Sequence, residues 1–110
     1  MKQYVIDQLR PSDFKKLKTY LGQHFNGSAV EGIYWIPLGS ELFNGLQQQH
    51  RQCQPFYFAM ELEEQCLACE FLVRTQHRVR CGCMSYADSS QRTWLMDLVD
   101  NILAELDITT

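Results

Sequence analysis

The sequence predicts an α+β protein, with a mainly antiparallel sheet of four to five strands and three helices in the order β-α-β-α-β-β-β-α. Segments rich in β-branched and aromatic residues alternate with segments whose apolar residues recur every three or four positions. Three strand-like segments then follow one another with only short turns between them, which favours antiparallel pairing. At 110 residues the chain has the length of one domain, so residues 1–110 are expected to form a single α+β domain.

The N-terminal quarter of the chain is predicted to form a strand and a helix. Residues 3–9 have the composition of a short strand. Pro11 and Ser12 are predicted to open the helix, because proline is tolerated in a first helical turn and serine caps it. Gly22 is expected to weaken or end that helix, and a loop should follow as far as Gly32.

The next strand and helix follow the same logic. Residues 32–38 carry β-branched and aromatic side chains, and Pro37 marks the end of the strand or an edge position. Ser40 is predicted to cap a second helix. One stripe of that helix should consist of Leu42, Leu46, Gln49 and Cys53.

The second half of the chain predicts three strands, at residues 55–62, 67–74 and 78–86, and a last helix. The helix is expected to start at Ser89 or Ser90. Its apolar residues at helical spacing are Leu95, Leu98, Ile102 and Leu106.

Alternation along the last three strands predicts their register, because successive side chains of a strand point to opposite faces. A four-residue turn at residues 63–66 matches the apolar faces of the first two strands and leaves Cys66 at the hairpin tip. A three-residue turn at residues 75–77 then matches the second strand with the third. This register places Cys69 opposite Cys83, and a shift of one residue would send arginines inward.

The opposite face of the sheet is predicted to be the functional surface. It combines aromatic residues, Met and Arg, which are enriched in the cores of protein interfaces. The alternative is that one of the three helices covers this face. The predicted partner-binding residues are Trp35, Tyr57, Leu72, Met84, Tyr86, Arg74 and Arg80.

The five cysteines suggest a second function, that of a thiol-based metal-binding or redox protein. Its ligands would be Cys53, Cys69, Cys81 and Cys83, which suit Zn²⁺ or another soft metal. The simpler interpretation is that these cysteines are small buried apolar residues. On that interpretation no cofactor is expected, and the purified protein should hold less than one equivalent of zinc or iron per chain.

Catalysis by a cysteine nucleophile is a third possibility, because His50 lies three residues before Cys53. The predicted position at the end of a helix argues against it, since the helix dipole there raises the pKa of a thiol. The chain also lacks the common phosphate-binding, dinucleotide-binding, metalloprotease and serine-hydrolase motifs. We therefore expect a protein that is not an enzyme.

The charge and hydropathy of the chain narrow the choice of partners. A net charge of −3 provides no general attraction for nucleic acid. The N-terminus has no apolar signal segment, and no apolar run approaches the ~18 residues of a membrane helix, so a cytoplasmic protein is expected. The sequence thus favours a non-catalytic binding or assembly module that associates with itself or with a protein partner.

Overall fold

A computed structural model describes residues 2–27, 30–75 and 83–109, which form an antiparallel sheet with helices packed on one face. The predicted α+β class and element order are confirmed, and a short strand is added inside the predicted first loop. The strands are β1 (Gln3–Ile6), β2 (Asn26–Gly27), β3 (Ile33–Pro37), β4 (Phe56–Leu62), β5 (Leu67–Glu70) and β6 (Arg74–Thr75). The helices are α1 (Pro11–His24), α2 (Gly45–Gln49) and α3 (Ser89–Glu105).

Helix α1 begins at Pro11 and is capped by Asp13, not by Ser12 as the sequence predicted. The buried Asp13 carboxylate accepts hydrogen bonds from the Arg10 backbone N–H at 3.0 Å and from the Arg10 guanidinium at 3.1 Å. The helix also runs through Gly22, where the prediction ended or weakened it. A helical glycine costs only about 1 kcal/mol, which the complete burial of Leu21 beside it outweighs.

The predicted second helix is divided into three short pieces. A 3₁₀ turn at Ser40–Leu42 precedes α2, and another at Arg51–Cys53 follows it. The interruption has a local cause, because Asn44 starts α2 afresh with a capping box. Its side chain accepts a hydrogen bond from the Gln47 N–H at 2.8 Å, and its own N–H donates to the Gln47 side chain at 3.0 Å.

The described strands run in the order β1-β5-β4-β3-β2, and β6 pairs with the start of β4. The predicted hairpin of β4 and β5 is confirmed, since Leu62 lies opposite Leu67 and Met60 opposite Cys69. Gly32 closes the other side of β4, where its carbonyl accepts from the Leu62 N–H at 2.8 Å. Its φ of +87° and the 3.0 Å that would separate a Cβ from the Leu62 carbonyl oxygen both favour glycine.

The predicted pairing of Cys69 with Cys83 is wrong. The free edge of β5 is taken by β1, so Cys69 lies between Met60 and Tyr4. The returning chain instead pairs farther along, with an isolated bridge between Leu72 and Tyr86. Thr75, predicted to begin the turn at residues 75–77, instead belongs to β6, and residues 76–82 of the predicted turn and of the predicted strand at 78–86 lie outside the described residues.

A bulge separates β5 from β6 and displaces the pairing with β4 by two residues. Between the pairs Met60–Cys69 and Tyr57–Arg74, β4 contributes two residues and the opposing chain contributes four. The extra residues bond outward, to chain segments on the far side of β5. The Phe71 N–H donates to the Lys2 carbonyl, and the Phe71 carbonyl accepts from Ala87 at 2.7 Å.

The core lies between the sheet and the helices. Alternate residues of β4 are buried as the sequence predicted, and Phe58 stacks on Trp94 of α3 with ring centroids 6.2 Å apart. Helix α3 is also tied to β1, because the Tyr4 hydroxyl donates to the Asp100 carboxylate at 2.6 Å. The apolar core residues contributed by α1, β4 and α3 are Leu17, Leu21, Phe56, Phe58, Met60, Leu62, Leu95, Val99, Ile102 and Leu103.

Two completely buried glutamines connect α2 to α3. The Gln91 Nε2 donates to the Gln47 Oε1 at 2.9 Å and to the Leu42 carbonyl at 2.9 Å. The Gln91 Oε1 also accepts from the Asp88 N–H at 3.1 Å, which caps α3. None of the helices within the described residues has the length and apolar character needed to cross a membrane.

Candidate functional site: a cysteine–histidine cluster and the outer sheet face

The first candidate site is built on the 3₁₀ turn Arg51–Cys53, with His50 as its N-cap. The Cys53 N–H donates to the His50 carbonyl at 3.0 Å, which closes the turn. Side chains three residues apart eclipse one another in 3₁₀ geometry, so the imidazole of His50 and the sulfur of Cys53 lie on one side.

Cys83 completes a cluster with these two side chains. The Sγ atoms of Cys53 and Cys83 and a ring nitrogen of His50 all lie within 4.8 Å of one another. Both cysteines are completely buried, and His50 is half-buried. We call His50, Cys53 and Cys83 the sulfur–imidazole cluster.

Hydrogen bonds to the sheet and to α2 hold the Arg51–Cys53 turn in place. The hydroxyl of Thr75 on β6 donates a hydrogen bond to the Cys53 carbonyl. The side-chain amide of Gln54 donates to the Gln47 carbonyl at 3.1 Å, which ties the turn back to α2. Because Thr75 itself pairs with Phe56 of β4, the cluster is located at the start of that central strand.

Cys69 does not join the cluster. Its partner on β4 is Met60, four residues beyond Phe56, which corresponds to about 13 Å along a strand. Burial raises the pKa of the Cys69 thiol to about 12, so this side chain stays protonated in ordinary conditions. Cys69 therefore behaves as a small apolar core residue.

The remaining cysteines also differ in their surroundings. Cys66 is at the tip of the β4–β5 hairpin, where its thiol donates to the Glu63 carboxylate at 3.5 Å. Partial burial and that hydrogen bond raise the pKa of the Cys66 thiol. The two cysteines of the C-x-x-C motif thus lie in different environments, as the sequence predicted, and Cys81 is outside the described residues.

Sequence reasoning did not assemble this set of three. It paired His50 with Cys53 only as base and nucleophile, and it grouped Cys53 and Cys83 with Cys69. The available signal was the H-x-x-C spacing itself, which brings both side chains together if residues 50–53 form a 3₁₀ turn instead of the end of a helix. The approach of Cys83 depends on the pairing of its segment beyond the end of β5, at the bridge between Leu72 and Tyr86, which local patterns do not reveal.

The second candidate site is the outer face of the sheet, defined by Trp35, Tyr57, Leu72, Met84 and Tyr86. Trp35 and Tyr57 meet edge to face with ring centroids 6.0 Å apart. Tyr86 is 44% exposed, and the other four side chains are half-buried. Among the described residues, none of these five belongs to the core cluster or packs against it.

Charged side chains border this outer face. Arg74 forms a bidentate ion pair with Glu70, which raises the pKa of the guanidinium. The ammonium group of Lys2 lies 5.5 Å from the centre of the Tyr86 ring. Arg80, the other arginine predicted here, is outside the described residues.

Comparison of the chain with protein-family models, curated proteins and solved structures finds no match.

Proposed function

We propose that the protein is a non-catalytic assembly module that associates with a second copy of itself through the outer sheet face. The observation that carries this proposal is the segregation of apolar side chains into two layers. The described core lies on the helical side of the sheet, and the apolar side chains of the outer face take no part in it.

The composition of the outer face supports an interface role. Trp35 and Tyr57 offer large contact areas with few rotatable bonds, and they already restrain each other. Aromatic residues, Met and Arg are the types enriched at the centres of protein interfaces. An apolar surface of this kind is uncommon unless something binds to it.

A second copy of the chain is the partner that fits the charges. A two-fold axis brings the same patch of each protomer together, so each charge needs an opposite charge within its own patch. Glu70 and Arg74 provide that pair on one border of the face. Because Arg74 and Glu70 are already paired within each protomer, this border can meet its own copy without an unpaired charge.

The test measures oligomeric state by sedimentation over a range of protein concentrations. The wild-type chain is expected to dimerise, and Leu72→Glu or Met84→Glu should shift it to monomer, because either change buries a carboxylate in the contact. Leu46→Glu is the matched control, since Leu46 is 44% exposed but lies on α2. Circular dichroism should show the same fold for all variants.

A wild-type chain that stays monomeric at every concentration would overturn self-association. Dimers that survive both outer-face substitutions would show that another surface forms the contact.

The alternative four-cysteine metal site is not proposed, because Cys69 lies apart from Cys53 and Cys83.

A further inference from the structure

We propose that the sulfur–imidazole cluster is a metal site that binds one Zn²⁺ ion through Cys53, Cys83 and His50. This function is separate from the outer sheet face. It also departs from the expectation of less than one equivalent of metal, which treated the cysteines as small buried apolar residues. The imidazole of His50 changes that environment.

The types of the three ligands select the metal. Thiolates favour Zn²⁺, Cu⁺ and iron–sulfur clusters, whereas imidazole suits zinc, copper, iron and nickel. Zinc is the ordinary divalent ion for two cysteines and one histidine, and a fourth ligand from outside these three completes its tetrahedron. Hard cations such as Mg²⁺ and Ca²⁺ prefer oxygen ligands, and the three side chains of the cluster offer none.

The distances allow coordination with small movements. Zn–S bonds of about 2.3 Å and Zn–N bonds of about 2.0–2.1 Å in a tetrahedron place the ligand atoms about 3.6–3.8 Å apart. The three atoms are already within 4.8 Å of one another. The closure required is therefore about 1 Å, which rotation of the side chains can supply.

Charge and burial also agree with a divalent ion. A buried charge needs a compensating partner, and Cys53 and Cys83 are both completely buried. One Zn²⁺ with two thiolates and a neutral imidazole has no net charge. Such a neutral assembly can be buried without an uncompensated charge.

The site would join two distant parts of the chain. His50 and Cys53 come from the turn that precedes β4, and Cys83 comes thirty residues later, just before the bridge of Tyr86 with Leu72. Both sides are already held by the sheet, through Thr75 and through the Val73 N–H bond to the Ser85 carbonyl at 2.9 Å. The ligands are thus largely in position before the metal arrives, which favours tight binding.

The experiment titrates reduced, metal-free, full-length protein with Co²⁺ and then with Zn²⁺. One equivalent of Co²⁺ should give the intense visible bands of tetrahedral coordination and a thiolate-to-metal charge-transfer band, and one equivalent of Zn²⁺ should abolish both. Cys53→Ala, Cys83→Ala and His50→Ala should each weaken binding by more than about 100-fold, because even the neighbours of metal ligands contribute about 10- to 100-fold. Cys69→Ala is the matched control, since it also removes a completely buried thiol.

His50→Cys keeps the proposal testable if the alanine variants fail to fold. This variant should still bind one Co²⁺, with a stronger charge-transfer band because a third thiolate replaces the imidazole. The proposal is overturned if the wild-type chain gives no tetrahedral Co²⁺ spectrum. It is equally overturned if folded Cys53→Ala, Cys83→Ala and His50→Ala variants bind as tightly as the Cys69→Ala control.

Discussion

Replacement of Gln91 by methionine tests whether the buried glutamine pair holds α3 onto α2. Methionine has nearly the same length and volume, so the change removes hydrogen bonds while leaving almost no cavity. The Leu42 carbonyl loses its contact with the Gln91 amide, and the Gln47 Oε1 keeps only the Asn44 N–H. The Asp88 N–H also loses its acceptor, but because Asp88 is exposed, a water molecule can accept that hydrogen bond instead.

The expected loss of stability follows from these three bonds. The buried Gln47 Oε1 and the partly buried Leu42 carbonyl each lose a hydrogen bond worth about 1–1.5 kcal/mol, so Gln91→Met should lower the free energy of unfolding by about 2–3 kcal/mol. Gln91→Ala removes the same bonds and leaves a cavity as well, which should raise the loss to about 4 kcal/mol. Arg92→Ala, at the exposed neighbouring position, should change stability by less than about 0.5 kcal/mol.

Equilibrium unfolding in urea, followed by circular dichroism, measures all three variants against the wild-type chain. The urea dependence of the free energy should be unchanged, so that the shift in midpoint reports stability alone. A loss below 1 kcal/mol for Gln91→Met would refute the reasoning, because it would mean that the amide bonds contribute little to the packing of α3 on α2.

Two further predictions concern α3 and its partners. The hydrogen bond to Asp100 raises the pKa of Tyr4 to about 12, so the stability that this group contributes is complete below about pH 10 and is lost as the pH rises toward 12. In an absorbance titration, Tyr4→Phe should remove the most alkaline tyrosinate transition. An unchanged titration would contradict the assignment. Phe58→Ala should lower the free energy of unfolding by about 3–5 kcal/mol, because the ring is completely buried against Trp94; a loss below 2 kcal/mol in the same urea assay would show that the core closes over the space.

Local patterns were sufficient for the parts of the fold that depend on neighbouring residues. The β4–β5 hairpin was predictable because its register follows from alternation and a four-residue turn. The separation of Cys66 from Cys69 followed directly from that hairpin. The start of α3 at Ser89 was also predicted, although its cap, Asp88, was not.

Pairing between segments far apart in the sequence could not be predicted, because more than one segment can compete for the same strand edge. The edge of β5 could accept either the returning chain or β1, and nothing near Cys69 indicates that β1 occupies it. The returning chain pairs beyond the end of β5, through the bridge between Leu72 and Tyr86. The proximity of His50 to Cys83 depends on this long-range pairing, so the sequence provided the ligand types without the grouping.

The position of β1 has a consequence for the order in which the sheet assembles. Ile6 pairs with Leu67, 61 positions later, whereas Leu62 and Leu67 are joined by four residues. Closing the loop between β1 and β5 costs about 2–3 kcal/mol more in chain entropy than closing the β4–β5 turn. The hairpin can therefore form well before β1 pairs with β5. Until β1 docks, the edge of β5 that carries Cys69 is open to any other extended strand. β1 therefore covers this edge only after the hairpin has formed, and conditions that delay the docking of β1 would favour strand pairing between chains.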